Sequence, residues 1–397
     1  MKYNLTGNYY EQKITAVDFQ KRITHVQLQL QKHDLEVGIA YATQHMPGDV
    51  QYLTGYDPHL ENAALLVLPD RAVALGGAEG QKMFEDQALA ATWRNLTLFE
   101  IPFQDYGDLR FSTIAEIFED TLGHIPEEIG LLSAASIISH EMMELLRQAT
   151  SGRARFRDVS QILAQARYHK SPAELEMYRI SSAIATEAMG EMLHTCKPGV
   201  RELEVAASGD HVLKQCGAYN VGFDTIVCSG RRINTIIGRA MNRIIERGDM
   251  VILGVSPRYE GYTSAIGRTL VAGGSRREQA EFLDHGIHAH KLAVEQFMVG
   301  RPAREVDLAA RNYFRNVGLA QYHTYGVGHG IGLTECLEEK TATQASDYDF
   351  PPGIAMMIDV GLFGHPTFYG ARHEDPFLID HQGRSERLTD LPMKVYT

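Results

Sequence analysis

The sequence lacks any apolar run approaching the roughly 18 residues that would cross a bilayer. Its opening stretch, Met1 to Asn8, has no apolar core of the kind a secretory leader carries. The expectation is therefore a cytoplasmic protein with no membrane partner. Cysteine is scarce, with four in 397 residues (Cys196, Cys216, Cys228 and Cys336) and no CxxC pair. That excludes a disulfide framework and a thiolate zinc site, and leaves reduced thiols as the expected state. Basic runs are also missing. Lys and Arg total 38 against 50 Asp and Glu, a formal net charge of −12, and such a surface repels phosphate backbones, so nucleic acid is excluded as a partner. What is present is 44% hydrophobic residues, enough apolar material for two full cores in a chain of this length.

The first part alternates patterns of period 3.6 and period 2. Ala16 to Lys32 reads as a helix and Val37 to Ala42 as a buried strand. Ala63 to Val67 and Ala72 to Leu75, around Pro69-Asp70, read as a hairpin. Ser112 to Leu122 and Glu141 to Ala149 read as helices flanking a strand at Ile129 to Leu132. This alternation predicts an α/β domain over residues 1–166. A second domain, 167–397, opens near Ser171-Pro172-Ala-Glu174, where N-cap, proline at the first helical position and glutamate three residues on form a capping box.

The second domain carries an internal echo. Arg201-Glu-Leu-Glu-Val-Ala resembles Arg304-Glu-Val-Asp-Leu-Ala, 103 residues later, and each opens a helix that reaches a glycine, Gly217 or Gly318. Gly248-Asp-Met-Val-Ile-Leu is matched by Gly353-Ile-Ala-Met-Met-Ile at an offset of 105. A nearly constant offset predicts two related α/β halves about a pseudo-twofold, with a cleft between them and Gly254 and Asp359 as symmetry mates.

Four features could carry chemistry. Gly326-Val-Gly-His-Gly-Ile-Gly332 frames His329 with glycines that permit close backbone approach; the competing reading is a glycine-rich hairpin with an incidental histidine. Asp359 is embedded in the apolar strand Met356 to Gly361, and a buried carboxylate must be paired, coordinated or protonated; a strand-end aspartate on a loop is the alternative. Arg372, His373, Glu374 and Asp375 crowd together before Phe377. On a strand, Arg372 and Glu374 would share one face, His373 and Asp375 the other; a solvated turn is the alternative. Finally, Arg258 to Leu270 reads as a hairpin about Glu260-Gly261 whose second strand, with Arg268, enters the same cleft.

In this order, these features resemble the creatinase/aminopeptidase P/prolidase superfamily of pita-bread enzymes. The match includes Ser171-Pro-Ala-Glu, Lys197-Pro-Gly-Val-Arg-Glu, Gly261-Tyr-Thr-Ser, Gly370-Ala-Arg-His-Glu-Asp and, in the first domain, Leu53-Thr-Gly-Tyr. The resemblance implies an N-terminal creatinase-like α/β domain followed by a pseudo-twofold catalytic domain. In metal-dependent members, two aspartates, a histidine and two glutamates hold two divalent ions. Here Gly254 and Ala265 stand at the two aspartate positions, Asp359 replaces the first glutamate, and His329 and Glu374 match. A further histidine, usual after the glycine-rich motif, is absent from Leu333-Thr-Glu-Cys-Leu. Creatine is an unsuitable substrate, because Ile237 and Gly267 stand where creatinase carries its substrate-contacting histidine and hairpin glutamate.

A two-ion site needs bridging carboxylates to neutralise the repulsion between cations, and Gly254 and Ala265 supply none. The expectation is thus hydrolysis of a C–N bond in a small polar or dipeptide-like substrate with no cofactor. Asp359 or Glu374 activates water, His329 polarises the carbonyl or stabilises an oxyanion, and His373 shuttles protons. Arg239 or Arg268 clamps a substrate carboxylate, and Tyr262 lies in the substrate-binding stretch. The resemblance also implies a homodimer in which His59 and Glu61 reach a site. Two other readings stand beside this one. One is a single-metal Xaa-Pro-type peptidase or lyase with His329, Asp359 and Glu374 as ligands. The other is an inactive fold kept for binding.

Overall fold

The computed structural model describes residues 14–100, 106–334, 338 and 340–397; Met1 to Asn8 and Cys336 lie outside them. The chain divides into two compact units, one ending at Arg167 and one spanning Tyr168–Thr397.

The first unit is α/β. Its helices are α1 (Ala16–Lys32), α2 (Gly48–Thr54), α3 (Gln81–Gln87), α4 (Ile114–Leu122), α5 (His140–Ala149) and α6 (Gln161–Tyr168). Its strands β1 (Gly38–Ala42), β2 (Ala63–Val67), β3 (Ala72–Gly76), β4 (Thr92–Asn95), β5 (Glu128–Leu131) and β6 (Arg155–Asp158) form one mixed sheet in the order β4-β3-β2-β1-β5-β6. The sequence reading of helix, strand and hairpin positions here agrees with these elements to within a few residues. The central strands β1, β2 and β3 are buried at every position, whereas the edge strands β4 and β6 carry polar residues; Ile39, Leu66, Val73 and Ile129 meet Phe118 and Met142 in the core.

The second unit starts with α7 (Pro172–Thr195) and α8 (Glu202–Gln215). The capping box forms: Glu174 N donates to Ser171 Oγ at 3.3 Å and Ser171 N to Glu174 Oε2 at 2.9 Å. Such a cap contributes about 1 kcal/mol. Then come β7 (Asn220–Val221), β8 (Ile226–Ser229), β9 (Met250–Val255), β10 (Pro257–Tyr259), β11 (Tyr262–Thr263) and β12 (Ile266–Val271). Glu260 and Gly261 both take positive φ, 45° and 87°, as a tight β10–β11 hairpin turn demands. The second half repeats the plan with α9 (Arg277–Val294), α10 (Arg304–Asn316), β13 (Gly328–Gly330), β14 (Thr341–Ala342), β15 (Ile354–His365), β16 (Tyr369–Ile379) and β17 (Ser385–Arg387).

The main sheet runs β14-β13-β15-β16-β12-β9-β8, with β17 pairing β16 and no closure into a barrel. Two antiparallel hairpins, β9–β12 and β15–β16, therefore meet at the centre. Alternation along β15 sorts its two faces. Met356, Ile358, Val360 and Leu362 enter the large core with Phe282, Leu283, Ala293 and Phe314. Ala355 and Met357 face the other way, into a smaller apolar cluster with Leu175, Tyr178, Ala265 and Leu378.

Candidate active site

Period two places Asp359 on the same face of β15 as Met357, and Glu374 opposite it on β16. The register continues across the sheet, from Glu374 to Gly267 and from Gly267 to Gly254. One row of four aligned positions thus reads Asp359, Glu374, Gly267, Gly254. His329 joins from β13, paired with Met357. Its flanking glycines have a steric reason: a Cβ on Gly328 would lie 2.7 Å from that of Ala342, and one on Gly330 would lie 3.0 Å from the Lys340 carbonyl oxygen. Only a bare backbone passes between β14 and β15 there.

The guanidinium of Arg372 lies between the two carboxylates. Its Nη2 is 2.9 Å from Asp359 Oδ2 and 3.2 Å from Glu374 Oε2, and its Nε donates to Asp359 Oδ1 at 3.2 Å. The Tyr325 hydroxyl donates to Asp359 Oδ1 at 3.1 Å. His329 Nε2 is 3.6 Å from Glu374 Oε1, and its Nδ1 lies 3.2 Å from the Gly330 carbonyl. The Asp359, Arg372 and Glu374 side chains are at most 8% exposed, whereas that of His329 is 14% exposed, and Tyr325 is likewise only partly buried. Two more glycines make room: a Cβ on Gly361 would meet the Tyr325 hydroxyl at 2.2 Å, and one on Gly267 would meet Glu374 Cβ at 2.9 Å.

The two carboxylates are driven apart electrostatically. Burial pushes Asp359 up to about 6, with the Glu374 charge adding to it and Arg372 opposing. Burial also acts to raise Glu374, but Arg372 and His329 together outweigh it and hold the group below its ordinary value. The two carboxyls thus shift in opposite directions, the pattern that an acid/base pair would need. Burial and the Asp359 charge push the Tyr325 hydroxyl well up, so it stays a donor.

The other sequence candidates sit elsewhere. His373 and Asp375 occupy the opposite face of β16. A Cβ on Gly286 of α9 would fall 2.5 Å from His373 Cδ2, and burial pushes the His373 imidazole down to about 3. That placement, away from His329 and Asp359 and locked neutral, removes the basis for a proton shuttle. Arg268 is fully buried on the same far face. It donates to Asp375 Oδ1 at 2.6 Å and to the Glu374 carbonyl at 2.8 Å, tying β12 to β16 rather than offering a substrate clamp. Tyr262 donates to Glu174 Oε1 at 2.9 Å and anchors the start of α7. Arg239 is exposed, pairs with Asp224 at 2.8 Å and lies on the segment before β9. His59 and Glu61 belong to the first unit, where Glu61 Oε2 accepts from Gly77 N at 2.9 Å. The structure thus unites His329, Asp359 and Glu374, and adds Arg372 and Tyr325. The sequence does signal Arg372, which stands two residues from Glu374 on a strand. Tyr325 carries no pattern of its own; it arrives because Val327 pairs with β15, its carbonyl accepting from Asp359 N at 2.7 Å.

His329, Asp359 and Glu374 could also ligate a metal, with one donor atom from each within 4.8 Å of the others. A pair of ions does not fit. Ala265 lies in the apolar cluster, and a Cβ on Gly254 would contact Ile226 at 3.3 Å, so neither aspartate position offers a donor. A single ion finds three ligands, but two of them already share Arg372.

Residues 176–381 match the profile of metallopeptidase family M24. The chain belongs to this family. An Xaa-Pro dipeptidase from Pyrococcus furiosus is 31% identical over 280 residues, 70% of this chain and 77% of that protein. The Xaa-Pro dipeptidase of Pyrococcus horikoshii is 33% identical over 66% of this chain and 74% of its own length. Among solved structures, the Pyrococcus furiosus prolidase superposes with a TM-score of 0.77 at 26% identity, over 92% of this chain and 99% of that one. The Pyrococcus horikoshii prolidase gives 0.81 at 24% identity over 95% and 100%, a likeness of fold. This M24 chain has the pita-bread fold and is a hydrolase of C–N bonds.

Proposed function

We propose that this M24 member hydrolyses the C–N bond of a small, dipeptide-like substrate with its own side chains, without a two-metal centre. The observation that carries the reading is the cluster of His329, Glu374 and Asp359, with its carboxyls shifted in opposite directions. Glu374 stays ionised and orients His329. Asp359, titrating near 6, is ionised at neutral pH yet basic enough to take a proton from water. Its Oδ2 accepts one bond from Arg372 and retains a second lone pair. His329 donates toward the carbonyl oxygen as charge develops. Arg239, with an exposed guanidinium, is the candidate for a substrate carboxylate.

The enzyme works in the cytoplasm, a reading supported by free thiols at the described cysteines Cys196, Cys216 and Cys228. It works as a homodimer, in which His59 and Glu61 of the first unit contribute to substrate binding; the resemblance supports this. Among the described residues no helix is long and apolar enough to cross a membrane.

A second reading, an Xaa-Pro-type peptidase using one divalent ion, is favoured by the clustered ligand atoms and the relatives' names. Hydrolysis of Xaa-Pro dipeptides and small amides, measured with and without chelator, separates the two. Under the first reading turnover survives chelation, and His329→Ala lowers it on the order of 10³-fold while the fold stays intact. Full activity in His329→Ala removes that residue from the reaction, and loss of activity on chelation selects the single-ion reading.

A further inference from the structure

We infer that Arg372 is a built-in cation whose guanidinium takes the electrostatic place that divalent ions hold in a metallopeptidase of this fold. The inference rests on the metal-free reading above, but it concerns charge and ligation and needs no turnover.

Three observations converge. The guanidinium spans the two carboxylates, 2.9 Å from Asp359 and 3.2 Å from Glu374, so one buried cation faces both groups that would otherwise ligate an ion. The neighbouring glycine makes room for the carboxylate it bridges: a Cβ on Gly267 would stand 2.9 Å from Glu374 Oε2, and at an ordinary contact of 3.5 Å from Arg372 Cδ. The positions that would supply further negative charge are filled by apolar surroundings, Ile226 against Gly254 and the Leu175–Tyr178–Met357 cluster around Ala265. Charge balance then decides. One guanidinium set against two buried carboxylates already offsets part of their charge without any ion. Two dications in the same space would instead bring four positive charges against two carboxylates in a buried site, an excess the residues present cannot offset. Arginine suits the role because it is permanently charged and its planar fork reaches both carboxylates at once. It also excludes an ion directly, since the lone pairs it engages are the ones a metal would need.

The test is metal content and thermal stability of the full chain. Wild type purified from medium containing Mn²⁺, Fe²⁺, Co²⁺ and Zn²⁺ should hold far less than one ion per chain, and its unfolding midpoint should not move with chelator or excess Mn²⁺. Arg372→Met leaves two buried carboxylates without their cation. Its midpoint should fall by roughly 10 °C, then recover in part as Mn²⁺ or Zn²⁺ binds at one per chain. Arg372→Lys keeps a charge, so it should fold and stay metal-free even where Arg372→Met does not fold. Two ions per chain in wild type, metal uptake by Arg372→Lys, or an Arg372→Met protein that is stable and indifferent to metal each overturns the inference. The outcomes are separable from the proposed activity. A metal-free wild type with no turnover removes the hydrolytic reading and leaves Arg372 in its role, whereas a wild type that turns over in chelator while its Arg372→Met variant stays stable and indifferent to metal does the reverse.

Discussion

The two halves of the second unit share a scaffold but not a chemistry. In the first half, the fully buried Glu202 at the start of α8 accepts from Ser229 N at 2.8 Å, Ser229 Oγ at 2.7 Å and Met241 N at 3.0 Å, and pairs with Arg232. In the second half, two residues past the position the 103-residue echo would give, the fully buried Asp307 of α10 accepts from Arg311 Nε and Gln344 N, both at 2.7 Å, and from Val327 N at 3.3 Å. Each carboxylate ties a helix to the backbone that leads into the sheet. The central row differs. Gly254 and Gly267 stand in the first half where Asp359 and Glu374 stand in the second. The residues that hold backbone occur twice, while those that can move protons occur once. On the proposed reading, fold maintenance and catalysis are separable along the pseudo-twofold, because the first half brings no carboxylate to the central row.

The largest effects should come from the shared scaffold. Glu202→Gln and Asp307→Asn each leave buried donors, and in each case an arginine, facing a neutral group. Removing one partner of a buried pair costs about 3–5 kcal/mol, and the comparison predicts similar losses in the two halves, read as the shift in urea midpoint. A loss confined to one half would show that the second carboxylate is decoration and break the equivalence.

Restoring an acid to the first half should cost less. Gly254→Asp places a Cβ 3.3 Å from Ile226 and a carboxylate in an apolar setting. A loss of roughly 2–4 kcal/mol is expected in the presence of chelator, with Ile226→Ala relieving the steric part. An uncompromised Gly254→Asp would mean that the first half still has a place for a charge.

The halves were legible in the sequence because their repeat fixes both helix starts and both hairpins, and the Ser171–Glu174 box marks where the unit begins. His329 and Asp359 were legible for a related reason: glycines packed around a histidine, and an acid inside an apolar strand, both violate ordinary local preference. The face of β16 was not. Alternation says that Arg372 and Glu374 separate from His373 and Asp375, but both faces carry charge, so no pattern says which one lines the cleft. Long-range register decides it, through Gly267 opposite Glu374 and Arg268 reaching Asp375. Arg372 could be placed beside Glu374 from spacing alone. Its bridge to Asp359, and the arrival of Tyr325, depend on strands that the sequence does not pair.

That far face supplies the smallest and most selective prediction. His373 is buried with its imidazole pushed down to about 3 by desolvation, followed by His290 and Arg268; His290 is pushed down to about 4 by its own burial. In the unfolded chain both take ordinary values near 6.5. A depressed histidine contributes stability that is complete above the unfolded value and lost as pH falls toward the folded one. Asp359 works in the opposite sense, since its raised value lets the folded state hold an extra proton below about 6. The raw pH profile therefore mixes opposing groups, and the informative quantity is the difference between wild type and His373→Leu. Between about pH 6 and 4.5 the wild type should lose stability more steeply than the variant by one proton, about 1.4 kcal/mol per pH unit, while kcat/KM at neutral pH stays within about twofold because the side chain faces α9 and not His329. Parallel profiles would mean that His373 is charged or solvated in the folded state, and a large drop in kcat/KM would return it to the reaction face.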